Sequence, residues 1–290
     1  MAGLLSRRLI TPLAISSGLL AFGLLTAEKN DSSCQSSDDD GKREAQSKKR
    51  LSELRDSLAI YRRTEQKMRE VWEKDEIENF RKLPARAWPA YQPDSEEVPA
   101  ISAALKSNGC VADDGEVMLC KKECSQKAFE LATALVFNGL EPKKGANLFT
   151  QLGNAGHVDG MVAAGIVLVE GYGVPSNEEQ GLQWLEKAAL SGSTQGMFEL
   201  GTAFYTGIDG VLDENESKAF QLFEMAAKNG HIGGMFMAAD CMLEGIGTSE
   251  NIQSAIPLLA EAAEQGHRYA RQRMRELLDI SSRGEEEMQQ

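Results

Sequence analysis

Three cysteines, Cys110, Cys120 and Cys124, stand close together in the sequence and are the side chains best able to do covalent or metal chemistry. Cys120 and Cys124 are four residues apart, so a helix would place both thiols on one face. The group could form a disulfide in an oxidising compartment, or its thiolates could bind a metal ion. No second pair of cysteines and no histidine lies nearby to complete four ligands, so a disulfide is the stronger of the two predictions.

The histidines and Cys241 are more typical of structural positions. Cys241 falls on an apolar helix face, where a buried small residue is the common role. His157, His231 and His267 each directly follow a glycine that marks an internal repeat. Equivalent positions of successive repeats are separated by a whole pair of helices, so the three rings are not expected to share a metal ion. They are predicted to stand at helix starts.

Sequence patterns of common enzyme classes are missing. The chain carries no nucleophile elbow, no zinc-protease helix and no nucleotide-binding fingerprint. The turns at Gly171-x-Gly173 and Gly245-x-Gly247 resemble phosphate loops in their glycine spacing, but neither follows a strand pattern or precedes a Lys-Ser or Lys-Thr pair. We therefore predict no catalytic residue, no metal and no cofactor, and expect a protein that is not an enzyme.

The element that positions these residues is an internal repeat, present four times between residues 124 and 279. Glycines mark it at intervals of 36, 38 and 36 residues. That period is typical of a unit of two helices. The marker glycines are Gly156, Gly192, Gly230 and Gly266.

Each repeat has the pattern of a helical hairpin. Its first half carries apolar residues three and four positions apart, as in Met197, Leu200 and Phe204, so that they share one helix face. A glycine-rich turn follows, and a second helix begins at a polar residue. One hairpin cannot bury its apolar face alone, so the four are expected to stack into an all-α solenoid. The predicted caps of the second helices are Ser176 or Asn177, Asp213, and Ser249.

Three features of the repeats point to a known family. They are Leu200-Gly201 with Phe204 and Gly207, the turn Gly171-x-Gly173-Val174, and the helix ends Lys187-Ala188-Ala189 with Gly192 and Met225-Ala226-Ala227 with Gly230. With them the chain resembles the Sel1-like repeat family of the tetratricopeptide-like superfamily. The first copy departs from the pattern, because residues 138–142 replace its glycine turn. The resemblance implies a right-handed α–α solenoid and work as an adaptor or assembly factor in mitochondria or the endoplasmic reticulum.

The charge of the chain favours a protein partner. Its formal net charge is −13, with a surplus of basic residues in 42–82 and a strong surplus of acidic residues in 83–290. Phosphate binding needs a basic surface, so nucleic acid is not an expected ligand of the repeats. A basic or amphipathic protein segment is the expected partner.

The N-terminal part has the composition of a targeting or membrane segment. Residues 1–27 contain two arginines and no acid, and residues 9–25 are an uncharged, mostly apolar run that could span a membrane. A mitochondrial targeting segment kept as a membrane anchor is favoured; the alternatives are a secretory signal peptide or anchor and a disordered or peripheral N-terminus. Residues 28–41 are predicted to be a disordered acidic tether.

A long amphipathic helix is predicted for residues 42–82. One of its faces could fold back on the solenoid, or could associate with a second copy as a short heptad seam. A proline-rich linker with a short helix at about 95–107 fills residues 83–123, and residues 280–290 are predicted to be a disordered acidic tail. The apolar face of the long helix comprises Leu51, Leu54, Leu58, Tyr61, Met68 and Trp72.

The first helices of stacked hairpins usually line the inner face of a solenoid, where partners bind. Phe198 and Phe236 occupy the same position in adjacent repeats, either as inter-repeat packing or as an aromatic stripe on the binding face. The predicted partner-binding residues are Phe198, Glu199, Thr202, Tyr205, Phe236, Asp240 and Glu244.

The sequence thus predicts a membrane-tethered scaffold, adaptor or assembly factor that binds a partner on the concave face of its repeats. One alternative is a self-assembling structural subunit joined through residues 42–82. A second is a small-molecule-binding or hydrolytic protein, because β-lactam binding has been assigned to some cysteine-rich bacterial relatives of the family.

Overall fold

The computed structural model describes residues 37–62, 68, 70, 72, 94–111, 117, 119 and 122–288. These residues form an all-helical solenoid, in which the only extended pairings are isolated bridges between Val111 and Val117 and between Ile208 and Leu212. A one-turn 3-10 helix, Ser95–Glu97, precedes α2. The helices are α1 (Ser37–Arg62), α2 (Val98–Ser107), α3 (Lys122–Phe137), α4 (Pro142–Asn154), α5 (Val158–Glu170), α6 (Glu178–Leu190), α7 (Thr194–Thr206), α8 (Glu216–Lys228), α9 (Ile232–Glu244), α10 (Ile252–Glu264) and α11 (Arg268–Met288).

Helices α3 to α10 pair into four hairpins that stack on one another. The marker glycines end the second helix of each hairpin, with φ between 84° and 93°. This left-handed conformation lets the next amide reach back along the helix, as His231 N does to Ala226 O at 3.0 Å. Each glycine therefore stops one helix and aims the chain into the next.

Asparagines cap the second helices of the last three hairpins. The side chains of Asn177, Asn215 and Asn251 each accept a hydrogen bond from the amide three residues on, at 3.0–3.1 Å. The predicted caps Asp213 and Ser249 are wrong, because each lies two residues upstream of the residue that accepts the bond. The interval between Gly192 and Gly230 is two residues longer than the other two intervals. The turn of this third hairpin contains the Ile208–Leu212 bridge, which accommodates the two extra residues.

The core runs between the hairpins. Phe149, Phe223 and Leu259 of the second helices are fully buried in it. Where α5 crosses α6, a Cβ at Gly181 would lie only 2.8 Å from the carbonyl oxygen of Gly165, so the two backbones approach closely because both residues lack a side chain.

Each end of the repeat array is covered. At one end α2 packs against α3, with Ile101 and Leu105 buried. At the other end α1 folds back on α10 and α11. Leu54 and Leu58 of α1 are buried in the same apolar cluster as the last hairpin, and Trp72 joins them. The face predicted for the long helix is thus the face that packs on the solenoid.

Two helix bounds differ from the sequence-based expectations. Helix α1 begins at Ser37, inside the predicted tether 28–41. Helix α11 continues to Met288, so the tail predicted to be disordered at 280–290 begins as helix. Ile280 packs against the core and Ser281 is fully buried, and these contacts hold the helix together beyond residue 279.

The predicted segment 1–27, with its apolar run 9–25, lies outside the described residues, as do Cys34 and Cys120. Within the described ranges, no helix combines the length and the apolar character needed to cross a bilayer.

Candidate functional site

The predicted partner-binding residues lie on α7 and α9, the first helices of the last two hairpins. Glu199, Thr202 and Tyr205 are half-buried on α7, whereas Phe236 on α9 is only 5% exposed. Phe198 is half-buried, and its ring centroid lies 4.6 Å from that of His231. The structure therefore brings the α7 residues together on a surface and places Phe236 in the core.

Both phenylalanines pack against the histidine that begins the next repeat. Phe236 lies 4.8 Å from His267 between ring centroids, in the same arrangement as Phe198 and His231. In the first repeat Phe129 lies 5.4 Å from His157. Of the two roles left open by the sequence, inter-repeat packing is the one the geometry of Phe236 supports.

The histidines cap helices. Nδ1 of His231 accepts a hydrogen bond from Gly234 N at 2.9 Å, and Nδ1 of His267 accepts one from Ala270 N at 3.2 Å. The proton must then sit on Nε2, and in His231 this group lies 2.8 Å from Gln195 Oε1, to which it donates. Burial lowers the pKa of both rings to about 4, so both are neutral near pH 7. Their position at helix starts was predicted, but their use of the ring nitrogen as a cap was not.

Polar side chains form a stripe along α7. The amide of Gln195 donates to Glu199 Oε1 at 2.8 Å, and the hydroxyls of Thr202 and Thr206 donate to carbonyl oxygens one turn earlier, each at 3.0 Å. Burial, with smaller contributions from Cys241 and nearby acids, raises the pKa of Tyr205 to about 12, so its phenol stays protonated. We call Gln195, Glu199, Thr202, Tyr205 and Thr206 the α7 face.

Asp240 and Glu244 are paired within the chain. Both approach Arg273 of α11, whose side chain is 3% exposed, with N–O distances of 3.3 Å to Asp240 and 2.6 Å to Glu244. Burial raises the pKa of both carboxyl groups, and the nearby arginine opposes the shift. These two acids were predicted as contacts for a partner, and the structure shows them engaged by the chain's own last helix.

An arginine of α1 extends this charged network. Arg50 lies 2.7 Å from a carboxylate oxygen of Glu250 and donates to the carbonyl oxygen of Leu243 at 2.8 Å. Neither contact could be predicted from the sequence, because Arg50 is about two hundred residues away from both Leu243 and Glu250. Helix α1 is thus held against the end of α9 by an arginine, next to Glu244.

Cys110 and Cys124 are joined by a disulfide. It ties the chain after α2 to the first turn of α3. Cys120, the third predicted member of the group, lies outside the described residues. Cys241 is a buried free thiol whose pKa is raised by burial to about 12, so it is not a nucleophile near pH 7. Among the described residues, no group of histidines, cysteines and acids could hold a metal ion.

Residues 158–193, 194–231 and 233–267 match the family model of the Sel1 repeat. The chain contains three Sel1 repeats. Each match covers one hairpin, α5–α6, α7–α8 or α9–α10, and reaches to the start of the following helix. Hairpin α3–α4 has the same build but lies outside the matched residues.

Part of this chain is similar to solved structures of Sel1 repeat proteins. The crystal structure of c5321, a protective antigen present in uropathogenic Escherichia coli strains that displays an SLR fold, aligns at 24% identity and a TM-score of 0.49. The alignment covers 58% of this chain and 34% of that one, about a third of its length. A Sel1 repeat protein from Oxalobacter formigenes aligns at 24% identity over 44% of this chain and 95% of its own, with a TM-score of 0.41. No curated protein matches the chain.

Sel1 repeat proteins generally mediate protein–protein interactions. The α7 face lies in the second of the three matched repeats.

Proposed function

We propose that this protein is a non-enzymatic scaffold or adaptor that binds another protein through the α7 face. The observation that carries the proposal is the polar stripe of α7. Its side chains are half-exposed and yet are held in place by hydrogen bonds along their own helix. Groups that are fixed before binding lose little conformational freedom when a partner arrives.

The partner is a basic or amphipathic protein segment. Glu199 supplies a carboxylate on the α7 face, and the chain as a whole has a formal net charge of −13. A field of this sign favours the approach of basic segments. Tyr205 and Phe198 add half-buried aromatic surface on the same helix, and aromatic residues are common anchors at interfaces.

Charge reversal on the α7 face tests the proposal. The full chain carrying Glu199→Arg and Thr202→Arg is compared with wild type in affinity capture from cells, and Glu186→Arg serves as the matched control. Glu186 is exposed on α6, a second helix, and is not part of the α7 face. Proteins captured by wild type and by the control but lost from the α7 variant are the expected result. Equal recovery by all three folded proteins would overturn the proposal.

We further propose that residues 9–25 tether the protein to a membrane, with mitochondria favoured over the endoplasmic reticulum. The support is the apolar run after two arginines with no acid in residues 1–27. A fluorescent fusion of residues 1–45 should accumulate in mitochondria and resist carbonate extraction. A diffuse or readily extracted fusion would exclude the tether.

A further inference from the structure

We propose that the surface to which α1 docks is a helix-binding site, and that it also accepts a basic amphipathic helix of a partner protein in place of α1. The site is built from the end of α9, the start of α10, and α11. It is separate from the α7 face, and its test does not involve the ligand of that face.

Helix α1 shows what the site recognises. Arg50 donates to the carbonyl oxygen of Leu243 in the last turn of α9, where the helix dipole is negative, and pairs with Glu250 just before α10. Leu54 and Leu58, four and eight residues after Arg50, enter the apolar cluster of the last hairpin. A helix with an arginine followed at four and eight positions by leucines therefore satisfies the site.

A third anchor lies farther along the same segment. The ring of Trp72 is buried, with the guanidinium carbons of Arg271 and Arg275 5.9 Å and 5.7 Å from its centroid. Arginine planes over an indole ring are a favourable cation–π arrangement. The site thus binds a cation at one end, two leucines in the middle and a large aromatic ring at the other end.

Charge complementarity favours a basic occupant. The carboxylates of Glu244 and Glu250 lie at the arginine end. Glu264 of α10 lies near the hydroxyl of Tyr61, whose pKa is raised by burial and by this acid. The sequence of residues 42–82, to which Arg50, Leu54, Leu58 and Trp72 belong, carries a surplus of basic side chains, whereas residues 83–290 are acidic.

Helix α1 is packed less tightly against the solenoid than the repeat helices are against one another. An external helix can therefore exchange with α1. Among its described side chains α1 buries only Leu54 and Leu58, whereas α10 buries seven residues. A helix held by few buried groups opens at a lower free energy than the core it covers. An external helix with the same anchors then competes with α1 for one surface.

The test uses a fluorescent peptide of residues 42–74 and the full chain. A full chain with Leu54→Asp and Leu58→Asp, whose own α1 no longer docks, should bind the peptide at least ten times more tightly than wild type does. A peptide carrying the same two substitutions should not bind, and a peptide with Arg50→Ala should bind several times more weakly. Circular dichroism and thermal melting establish that the variant chain keeps its repeats, and the milder Leu54→Ala chain provides a second receptor if it does not.

Equal peptide affinities for wild type and the folded variants, or no binding to either variant, would overturn the proposal. A wild-type chain that is a dimer by light scattering and becomes monomeric on adding peptide would assign the site to a second copy, and would overturn the assignment to a distinct partner. A monomeric wild type that releases α1 on adding peptide, seen as new hydrogen exchange in residues 50–58, would support it.

Discussion

The ring of His231 packs on the ring of Phe198 from the preceding repeat, with 4.6 Å between the centroids. The same imidazole caps α9 through Nδ1 and donates to Gln195 through its other nitrogen. One neutral side chain thus joins two repeats by a ring contact and two hydrogen bonds. A proton on Nδ1 would remove the cap and place a positive charge at a helix N-terminus.

The histidine caps should make the repeats sensitive to mild acid. The pKa of His231 and His267 is lowered from 6.5 to about 4 by burial. Between pH 6.5 and pH 4 the two rings are protonated in the unfolded chain but not in the folded chain. The free energy of unfolding therefore has its full value above pH 6.5 and falls as the pH is lowered towards 4. The expected loss at pH 4.5 is on the order of 2 kcal/mol per ring, measured by denaturant unfolding.

A matched variant separates the rings from other titrating groups. Asparagine is a good N-cap without a charge to gain, so His231→Asn with His267→Asn should flatten the profile between pH 6.5 and 4.5. Asp240 and Glu244, whose pKa is raised, act in the opposite direction and are common to both proteins. Parallel profiles for the variant and wild type would contradict the prediction.

Arg273→Met should destabilise the contact between α9 and α11. The change leaves the carboxylates of Asp240 and Glu244 without their buried partner, and we expect a loss of about 3 kcal/mol at pH 7.5. Burial raises the pKa of both acids, so they accept protons readily and the loss should be smaller at pH 5. Urea unfolding at both pH values measures the difference.

Neutral partners provide the control for Arg273. In the triple variant Asp240→Asn, Glu244→Gln, Arg273→Met no buried charge lacks a partner, so most of the stability should return. A loss that is the same at both pH values and persists in the triple variant would assign the effect to the packing of the arginine stem.

Phe236→Ala should cost about 3 kcal/mol of stability, because it empties a buried position between two repeats. Met225→Ala removes a side chain that is 46% exposed on α8 and should change stability by less than about 0.5 kcal/mol. Thermal melts of both variants check the ranking. A small effect of Phe236→Ala would mean that the ring is not held in the core.

Loss of the disulfide should weaken only the α2 end of the array. The bond closes a loop of 14 residues, and removing it with Cys110→Ala and Cys124→Ala should cost about 3 kcal/mol locally. Hydrogen exchange should rise in α2 and the first turns of α3 and stay unchanged in α9 and α10. In a background with Cys34→Ser and Cys120→Ser, dithiothreitol should act on the native pair and leave the double alanine variant unaffected.

Local patterns predicted the hairpins but not their long-range partners. The glycine period and the apolar spacing around Met197 and Leu200 are properties of neighbouring residues, and the helices followed them. The caps lie two residues after the predicted Asp213 and Ser249. Aspartate, serine and asparagine suit the same role, and only the path of each turn decides which of them caps the helix.

The candidate site was harder to predict than the fold. Asp240 and Glu244 were correctly placed on a first helix, but their pairing with Arg273 joins residues about one repeat apart. Arg50 pairs with Glu250, which is 200 residues away in the sequence. The periodicity of a single sequence does not predict which charged side chains pair at such separations. For this reason Asp240 was expected to be an exposed charge, whereas in the structure it forms an internal ion pair with Arg273.

The covered ends of the array limit how such a protein can change in length. Helix α2 with its disulfide blocks one end, and α1 blocks the other. A duplicated hairpin added at a terminus would face a surface that is already filled, whereas one inserted between α6 and α7 would meet the same neighbours as every internal hairpin. Growth of this repeat array during evolution is therefore expected by internal duplication, in steps of one whole repeat.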